Sequence, residues 1–150
     1  MLDRQRLGKQ RVEAYQILQV LFGIKTGWVG HPAVEMWRGY ELALGVYANH
    51  MCIEWCKRGY EDNMKERVIA LVEEHLIVEE RLRHQFPLWL GYPKVHATHR
   101  KMLYEKDPEH YGPFNRAEAD LMATPCCEGC NYYWPTHTNE WVAAMKRRAA

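Results

Sequence analysis

The sequence predicts an all-α protein: a compact helical bundle with three long helices, one or two short helices and a loop-rich C-terminal segment. Two observations support this class. Apolar residues recur at three- and four-residue steps over long stretches, and glycine or proline separates those stretches. A chain of 150 residues fits one domain, because it can bury roughly 70% of its unfolded surface around one core. We therefore predict a single domain over residues 1–150.

The first helix is predicted over residues 2–22. Apolar side chains such as Leu7, Ala14 and Leu18 lie on one stripe of that helix, as expected when one face is buried. Residues 23–31 contain three glycines, which is typical of a loop. The first helix and the second are therefore separate elements.

The later helices follow from the same spacing rule. Pro32 opens the second helix, because proline is favoured at a first helical position, and Gly59 follows its basic end. Pro87 and Gly91 break the pattern between the third helix and the fourth. The predicted ranges are residues 32–57, 61–83, 94–106 and 139–148. Between the last two ranges the sequence predicts an ordered but loop-rich segment that packs through its aromatic rings.

Composition excludes several classes of protein. Hydrophobic residues make up 47% of the chain and charged residues 26%, which is ordinary for a globular protein. No apolar run approaches the ~20 residues of a membrane-spanning helix, and the start lacks the apolar segment of a signal peptide. Five cysteines, an odd number without a disulfide framework, favour reduced thiols. We predict a cytoplasmic protein of a bacterial or phage-infected cell, without a membrane partner.

The first helix carries a run of basic residues ahead of a single glutamate, Glu13. The basic residues are Arg4, Arg6, Lys9 and Arg11. Such side chains bind phosphates with an affinity that depends on salt rather than on base sequence. The alternative is a solvated helix surface on which Glu13 pairs with Lys9, one turn earlier.

Three motifs carry a resemblance to a known family. Residues 2–18 (LDRQRLGKQRVEAYQIL) resemble the first helix of phage endonuclease V type pyrimidine-dimer DNA glycosylases, which has a glutamate near the place of Glu13. Matches to a bacterial and phage family related to these enzymes continue at residues 30–41 (GHPAVEMWRGYE) and 106–113 (KDPEHYGP). The resemblance covers most of residues 2–114.

This resemblance implies a helical DNA glycosylase with AP-lyase activity that acts in DNA repair. In the family an α-amine attacks the sugar C1′, a Schiff base forms with the help of the glutamate, and β-elimination cuts the backbone. By matching position, Glu13 is the expected carboxylate. The expected partner is double-stranded DNA, damaged or distorted, and no cofactor is implied.

The DNA-binding residues follow partly from the resemblance and partly from charge. On the N-terminal side the candidates are Arg4, Arg6, Lys9, Arg11 and Arg38, with His31 at the edge of the active site. Further along, His96 and His99 share a helix face with Arg100 and Lys101, which favours phosphate contact over a metal site; a plain polar surface is the third alternative. Tyr111 is the aromatic residue that we expect to touch DNA, and we assign the six tryptophans to packing.

The reactive amine is the part of the site that the sequence leaves open. Family members carry a short segment ahead of the matching helix and place the amine there, whereas this chain begins almost on the helix. Either an upstream segment is missing from the sequence, or the protein keeps the DNA surface without the lyase step. The alternatives to a glycosylase are therefore a non-catalytic DNA-binding or accessory protein and a phage DNA-base modification enzyme.

Three cysteines, Cys126, Cys127 and Cys130, form one Cys-x-x-Cys knuckle. A structural zinc site needs four ligands. Additional ligands could come from His110, His137, Cys52 or Cys56. One knuckle without a second favours reduced thiols and no metal, and zinc is the alternative.

Overall fold

A computed structural model describes residues 2–76, 86–114 and 123–138. Backbone contacts group the chain into two compact units, Leu2–Pro87 and Leu88–Ala150, and each is described by itself. Every regular element within the described residues is helical, which confirms the all-α class. The single-domain prediction stays a prediction. No described helix is both long and apolar enough to cross a membrane.

Within the described residues, the first unit has four α-helices and the second has two α-helices and two short 3-10 helices. The α-helices are α1 (Arg4–Leu21), α2 (Pro32–Glu35), α3 (Glu41–Lys57), α4 (Lys65–Leu76), α5 (Pro93–Lys106) and α6 (Pro108–Tyr111). The 3-10 helices are Gly112–Phe114 and Pro135–His137. The predicted final helix over residues 139–148 lies outside the described residues.

The core of the first unit forms where α1 packs on α3 and α3 packs on α4. Leu18 and Leu44 are fully buried, and burying one such side chain stabilises the fold by about 1.5–3 kcal/mol. The buried cluster comprises Ala14, Ile17, Leu18, Val20, Val34, Leu44, Ala48, Val68, Leu71 and Val72. The apolar stripe predicted for α1 is therefore the face that holds this unit together.

The prediction of one continuous second helix over residues 32–57 is wrong. The chain leaves the helical path after α2 and re-enters it at α3. At the break, Gly39 has a φ of +78°, a conformation that favours glycine, and its N–H donates to Glu41 Oε1 at 2.8 Å. The sequence pattern missed this break because apolar side chains continue on both sides of it.

The start of the third predicted helix also differs from expectation. α4 begins at Lys65 rather than at Glu61, because Asp62 Oδ2 accepts a hydrogen bond from Lys65 N at 3.0 Å. Aspartate favours such a position ahead of a helix over a position inside one. The predicted end of this helix, at residue 83, lies outside the described residues.

The second unit is organised around α5. Thr98, on the buried face of α5, accepts a hydrogen bond from Tyr133 N at 3.0 Å, and Tyr133 is itself buried. This bond ties residues 123–138 to the helix. Within those residues the only regular element is the 3-10 helix Pro135–His137, as a loop-rich segment requires.

Candidate functional site

The buried stripe of α1 has two flanks, and the basic residues divide between them. At about 100° per residue, Arg4 and Arg11 lie on one side of the stripe, and Arg6, Lys9 and Glu13 lie on the other. We refer to these as the Arg11 flank and the Glu13 flank. The basic run is therefore not one continuous surface.

Side chains of the protein engage the cations of the Arg11 flank. Arg11 Nη1 donates to Asp62 Oδ1, and the two side chains are 11% and 2% exposed. The same guanidinium lies 4.2 Å from the centroid of the Trp55 ring, and the Arg4 guanidinium lies 4.9 Å from that of Tyr60. A phosphate would have to compete with these partners for both arginines.

A chain of hydrogen bonds holds the carboxylate of Glu13. Tyr47 O–H donates to Gln10 Oε1 at 2.7 Å, and Gln10 Nε2 donates to Glu13 Oε2 at 3.2 Å. The ion pair with Lys9, which the sequence allowed, does not form, and Glu13 has no other ion pair within the described residues. The uncharged amide of Gln10 therefore orients the Glu13 carboxylate without neutralising its negative charge.

Tyr47 donates the first hydrogen bond of this chain. Burial, followed by the nearby charge of Glu13, raises the pKa of Tyr47 to about 12, so the phenol keeps its proton at neutral pH. Its ring packs on Trp37 at a centroid distance of 5.7 Å. A carboxylate can only accept, so Gln10 presents its N–H to Glu13 and leaves its Oε1 to accept from the Tyr47 hydroxyl.

The two cations of the Glu13 flank differ in their engagement. Arg6 lies 3.4 Å from Asp3 and donates to Gln5 Oε1 at 3.1 Å. Lys9 is exposed and has no ion pair in the part of the chain that the structure describes. Lys9 is thus the cation most open to a ligand beside Glu13.

His31 lies in the loop between α1 and α2 and is exposed. Its Nδ1 accepts a hydrogen bond from Ala33 N at 3.1 Å and so caps α2. The ring stacks on Trp28 at 5.7 Å, and Trp28 is 52% exposed with a φ of 72°. Trp28 therefore packs against His31 with about half of its surface exposed, and an aromatic residue type alone does not reveal that exposure.

Arg38 is exposed just beyond α2 and pairs with Glu35. Its Nη2 lies 2.5 Å from Glu35 Oε1, and its Nε donates to Glu35 Oε2 at 3.1 Å. This hydrogen bonding, more than the charge of the guanidinium, lowers the pKa of the Glu35 carboxyl. The pair is a surface interaction that a phosphate could replace.

In the second unit, His99 is a packing residue. Its Nδ1 lies 2.7 Å from Val95 O, and its ring contacts those of Tyr132 and Trp134 at 4.6 and 5.8 Å. Burial lowers the pKa of His99, which favours the neutral imidazole. A neutral ring offers a phosphate no charge.

His96, on α5, uses a ring nitrogen to hold the loop that precedes this helix. Its Nε2 accepts a hydrogen bond from Gly91 N at 2.9 Å, and burial, with a smaller effect of Arg100, lowers its pKa. Among the described residues no group of metal-ligating side chains includes His96 or His99. The metal alternative for this pair therefore has no geometric support.

The other residues of the second unit that the sequence predicts to bind DNA are either hydrogen-bonded to the protein or at least partly buried. Lys101 Nζ donates to Ala123 O at 3.3 Å, and Arg100 is half-buried. Tyr111 is 5% exposed, because α6 turns its ring into the unit, so little of that ring can meet a base. Contacts of these residues with DNA stay predictions.

In the part of the chain that the structure describes, one group of residues could hold a metal. Cys126, Cys127 and Cys130 lie together with His137, and one ligand atom of each falls within 4.8 Å of the others. The sequence spacing predicted the three cysteines as possible metal ligands and left His137 as one of several options for a fourth ligand. The structure brings His137 to them and keeps His110 elsewhere, on α6.

Comparison with known proteins gives one finding. The family model for pyrimidine dimer DNA glycosylase matches residues 1–68, which include α1, α2, α3 and the beginning of α4. The chain matches no curated protein and no solved structure. Glu13, Gln10 and Tyr47 all lie inside the matched segment, whereas the second unit lies outside it. Residues 1–68 of this chain are therefore similar to the pyrimidine dimer DNA glycosylase family.

Proposed function

We propose that this protein processes damaged DNA in the manner of a pyrimidine dimer DNA glycosylase, with Glu13 as the carboxylate that assists the chemistry. The observation that carries the proposal is the setting of Glu13. Gln10 orients the carboxylate at 3.2 Å, and no cation neutralises it within the described residues. This arrangement lies in the segment that the family model matches.

The family reaction develops positive charge at the sugar, and this is where a fixed carboxylate acts. In the family reaction the α-amine of the N-terminus attacks C1′, the glycosidic bond breaks, and the base leaves with the bonding electrons. The sugar opens to a protonated imine, and loss of a C2′ proton expels the 3′ phosphate. Glu13 stabilises the cationic states, because a charge fixed in advance by hydrogen bonds needs no reorganisation during the reaction.

The DNA surface of the proposal is the Glu13 flank of α1. Lys9, exposed and without an ion pair in the described part of the chain, supplies a phosphate contact, and Arg6 supplies a second by leaving Asp3 and Gln5. Trp28, stacked on His31 and half exposed, offers an aromatic face on which an unpaired base can stack. Arg11 is left out of this surface because Asp62 and Trp55 already engage its guanidinium.

Borohydride trapping tests the proposal. The full chain is incubated with an ultraviolet-irradiated duplex and with the same duplex undamaged, and borohydride reduces any imine to a stable covalent link. We expect an adduct with the irradiated duplex alone. In Glu13→Gln the trapping rate should fall by about a hundredfold or more, as for loss of an acid–base group.

Glu54→Gln is the matched control for this experiment. It makes the same change in the same unit, but Glu54 pairs with Arg58 at 2.8 Å, and the adduct should form at the unaltered rate. An equal loss in both variants would contradict the role of Glu13. Salt-dependent binding without any adduct would contradict the lyase reaction and favour the accessory DNA-binding protein.

A further inference from the structure

We propose that Cys126, Cys127, Cys130 and His137 bind one zinc ion in the second unit. This inference is independent of the DNA-processing function, since the four residues lie beyond the segment that the glycosylase family model matches. It starts from the way in which the chain gathers four metal-ligating side chains whose ligand atoms all fall within 4.8 Å of one another.

Four of the six distances between ligand atoms fit a tetrahedral ion, and the Cys126–Cys130 distance is bounded only by the 4.8 Å of the group. Zinc–sulfur bonds of about 2.3 Å and zinc–nitrogen bonds of about 2.0 Å place two sulfurs about 3.8 Å apart and a sulfur about 3.6 Å from a nitrogen. Cys126 Sγ lies 3.7 Å from Cys127 Sγ, and His137 Nδ1 lies 3.6–3.9 Å from all three sulfurs. Four edges of the tetrahedron are therefore already formed.

One edge is shorter than an ion requires. Cys127 Sγ and Cys130 Sγ lie 2.9 Å apart, so they must separate by about 0.9 Å to reach the tetrahedral spacing. Cys127 is exposed, and rotation of its side chain can supply that displacement without moving the backbone.

A tight turn sets the position of these two thiols. Cys130 N donates to Cys127 O at 3.3 Å, and Gly129, the third residue of the turn, has a φ of +82°. Type II turns require this backbone conformation at their third residue, and glycine adopts it without strain. The turn folds Cys127 and Cys130 back toward each other, as the two ends of a zinc knuckle must be.

The surrounding segment needs a stabilising element. Residues 123–138 contain one three-residue 3-10 helix, which carries His137, and a hydrogen bond from Tyr133 N to Thr98 anchors them to α5. A segment with so little regular structure gains stability when a metal joins its two ends, because binding energy becomes folding energy. The ligands lie at both ends of this segment, 126–130 and 137.

The ligand chemistry selects zinc over other ions. Three thiolates and one imidazole are a soft set that suits tetrahedral Zn²⁺, whereas Mg²⁺ and Ca²⁺ prefer oxygen ligands. No position is left open for water in a four-ligand set. The ion is therefore structural rather than catalytic.

Metal analysis of the full chain, purified under reducing conditions, tests the proposal. We expect one zinc per chain by mass spectrometry of the metal content. Titration of the metal-free chain with Co²⁺ should produce thiolate-to-cobalt charge-transfer absorption that saturates at one equivalent and disappears when one equivalent of Zn²⁺ is added. This titration uses the unaltered chain, so it does not depend on whether a variant folds.

Matched variants separate this site from the other thiols. Cys126→Ser and His137→Ala should each weaken Co²⁺ binding at least tenfold, His137→Cys should retain one equivalent, and Cys56→Ser, on α3, should bind as the unaltered chain does. Absence of the charge-transfer absorption, a Cys127–Cys130 disulfide that persists under reducing conditions, or equal losses in Cys126→Ser and Cys56→Ser would overturn the proposal.

Discussion

The two flanks of α1 carry similar charges in sequence and differ in what surrounds them. On the Arg11 flank, an aromatic ring and a buried carboxylate engage the guanidinium of Arg11. On the Glu13 flank, the charge of Glu13 is held by a neutral amide and Lys9 is open to solvent. The difference teaches that a basic run on one helix can serve two purposes: one flank stabilises the fold and the other remains available to a ligand.

Removal of Arg11 should give the largest effect on stability. Arg11→Ala leaves the Asp62 carboxylate, 2% exposed, without its cation, and such a loss destabilises a protein by about 3 kcal/mol or more. Lys9→Ala, on the other flank, should change the free energy of unfolding by less than about 0.5 kcal/mol. Urea denaturation of both variants measures the difference.

A double variant checks the cause of that loss. Arg11→Ala combined with Asp62→Asn should be more stable than the sum of the two single changes predicts, because the unpaired carboxylate is gone. Additive losses would show that the arginine stabilises through its packing on Trp55 alone.

The sequence predicted those parts of the molecule that depend on neighbouring residues. The apolar stripe of α1, the basic run and the glutamate lie within one helix, so helical periodicity was enough to find them. Asp62, which engages Arg11, is 51 residues away, and Tyr47 reaches Gln10 from another helix. Pairings of this kind depend on how helices pack, which no local pattern contains.

Local patterns also fell short at two positions. The break after α2 depends on the backbone of Gly39, which the continuing apolar spacing concealed. The residue type of Trp28 predicts packing, and the ring does stack on His31, but the type does not show that 52% of this residue is exposed. The cysteine knuckle predicted three possible metal ligands, and the fold places His137 beside them as a possible fourth.

Another prediction concerns Tyr47, which donates to Gln10 beside Glu13. The pKa of Tyr47 is raised from 10.0 to about 12, so the folded state holds this proton more tightly than the unfolded state does. A pKa shift of about two units corresponds to about 2–3 kcal/mol of folding stability. This contribution is fully present below pH 10 and is lost as the pH rises to 12. Urea denaturation between pH 9 and about 12 should show a smaller loss in Tyr47→Phe; equal losses would contradict the buried phenol.

A smaller effect tests how firmly Trp55 is held on the Arg11 flank. A methyl group at Gly8 would lie 3.2 Å from the Trp55 ring, which also donates to Glu61 O and packs on Tyr60. Gly8→Ala gains about 1 kcal/mol of helix propensity, but overpacking against a fixed ring costs about 1–3 kcal/mol. We expect a net destabilisation of about 1 kcal/mol by thermal or urea unfolding; a stabilised variant would show that Trp55 moves freely.

The salt dependence of DNA binding tests most directly whether the Glu13 flank faces the duplex. Lys9→Ala and Arg4→Ala remove one positive charge each from opposite flanks of the same helix, and binding of an irradiated duplex is measured over a range of salt concentrations. The slope of log affinity against log salt should become shallower by about 0.9 in Lys9→Ala, which corresponds to the loss of one phosphate contact. The slope should be unchanged in Arg4→Ala. A shallower plot in Arg4→Ala with no change in Lys9→Ala would contradict the account.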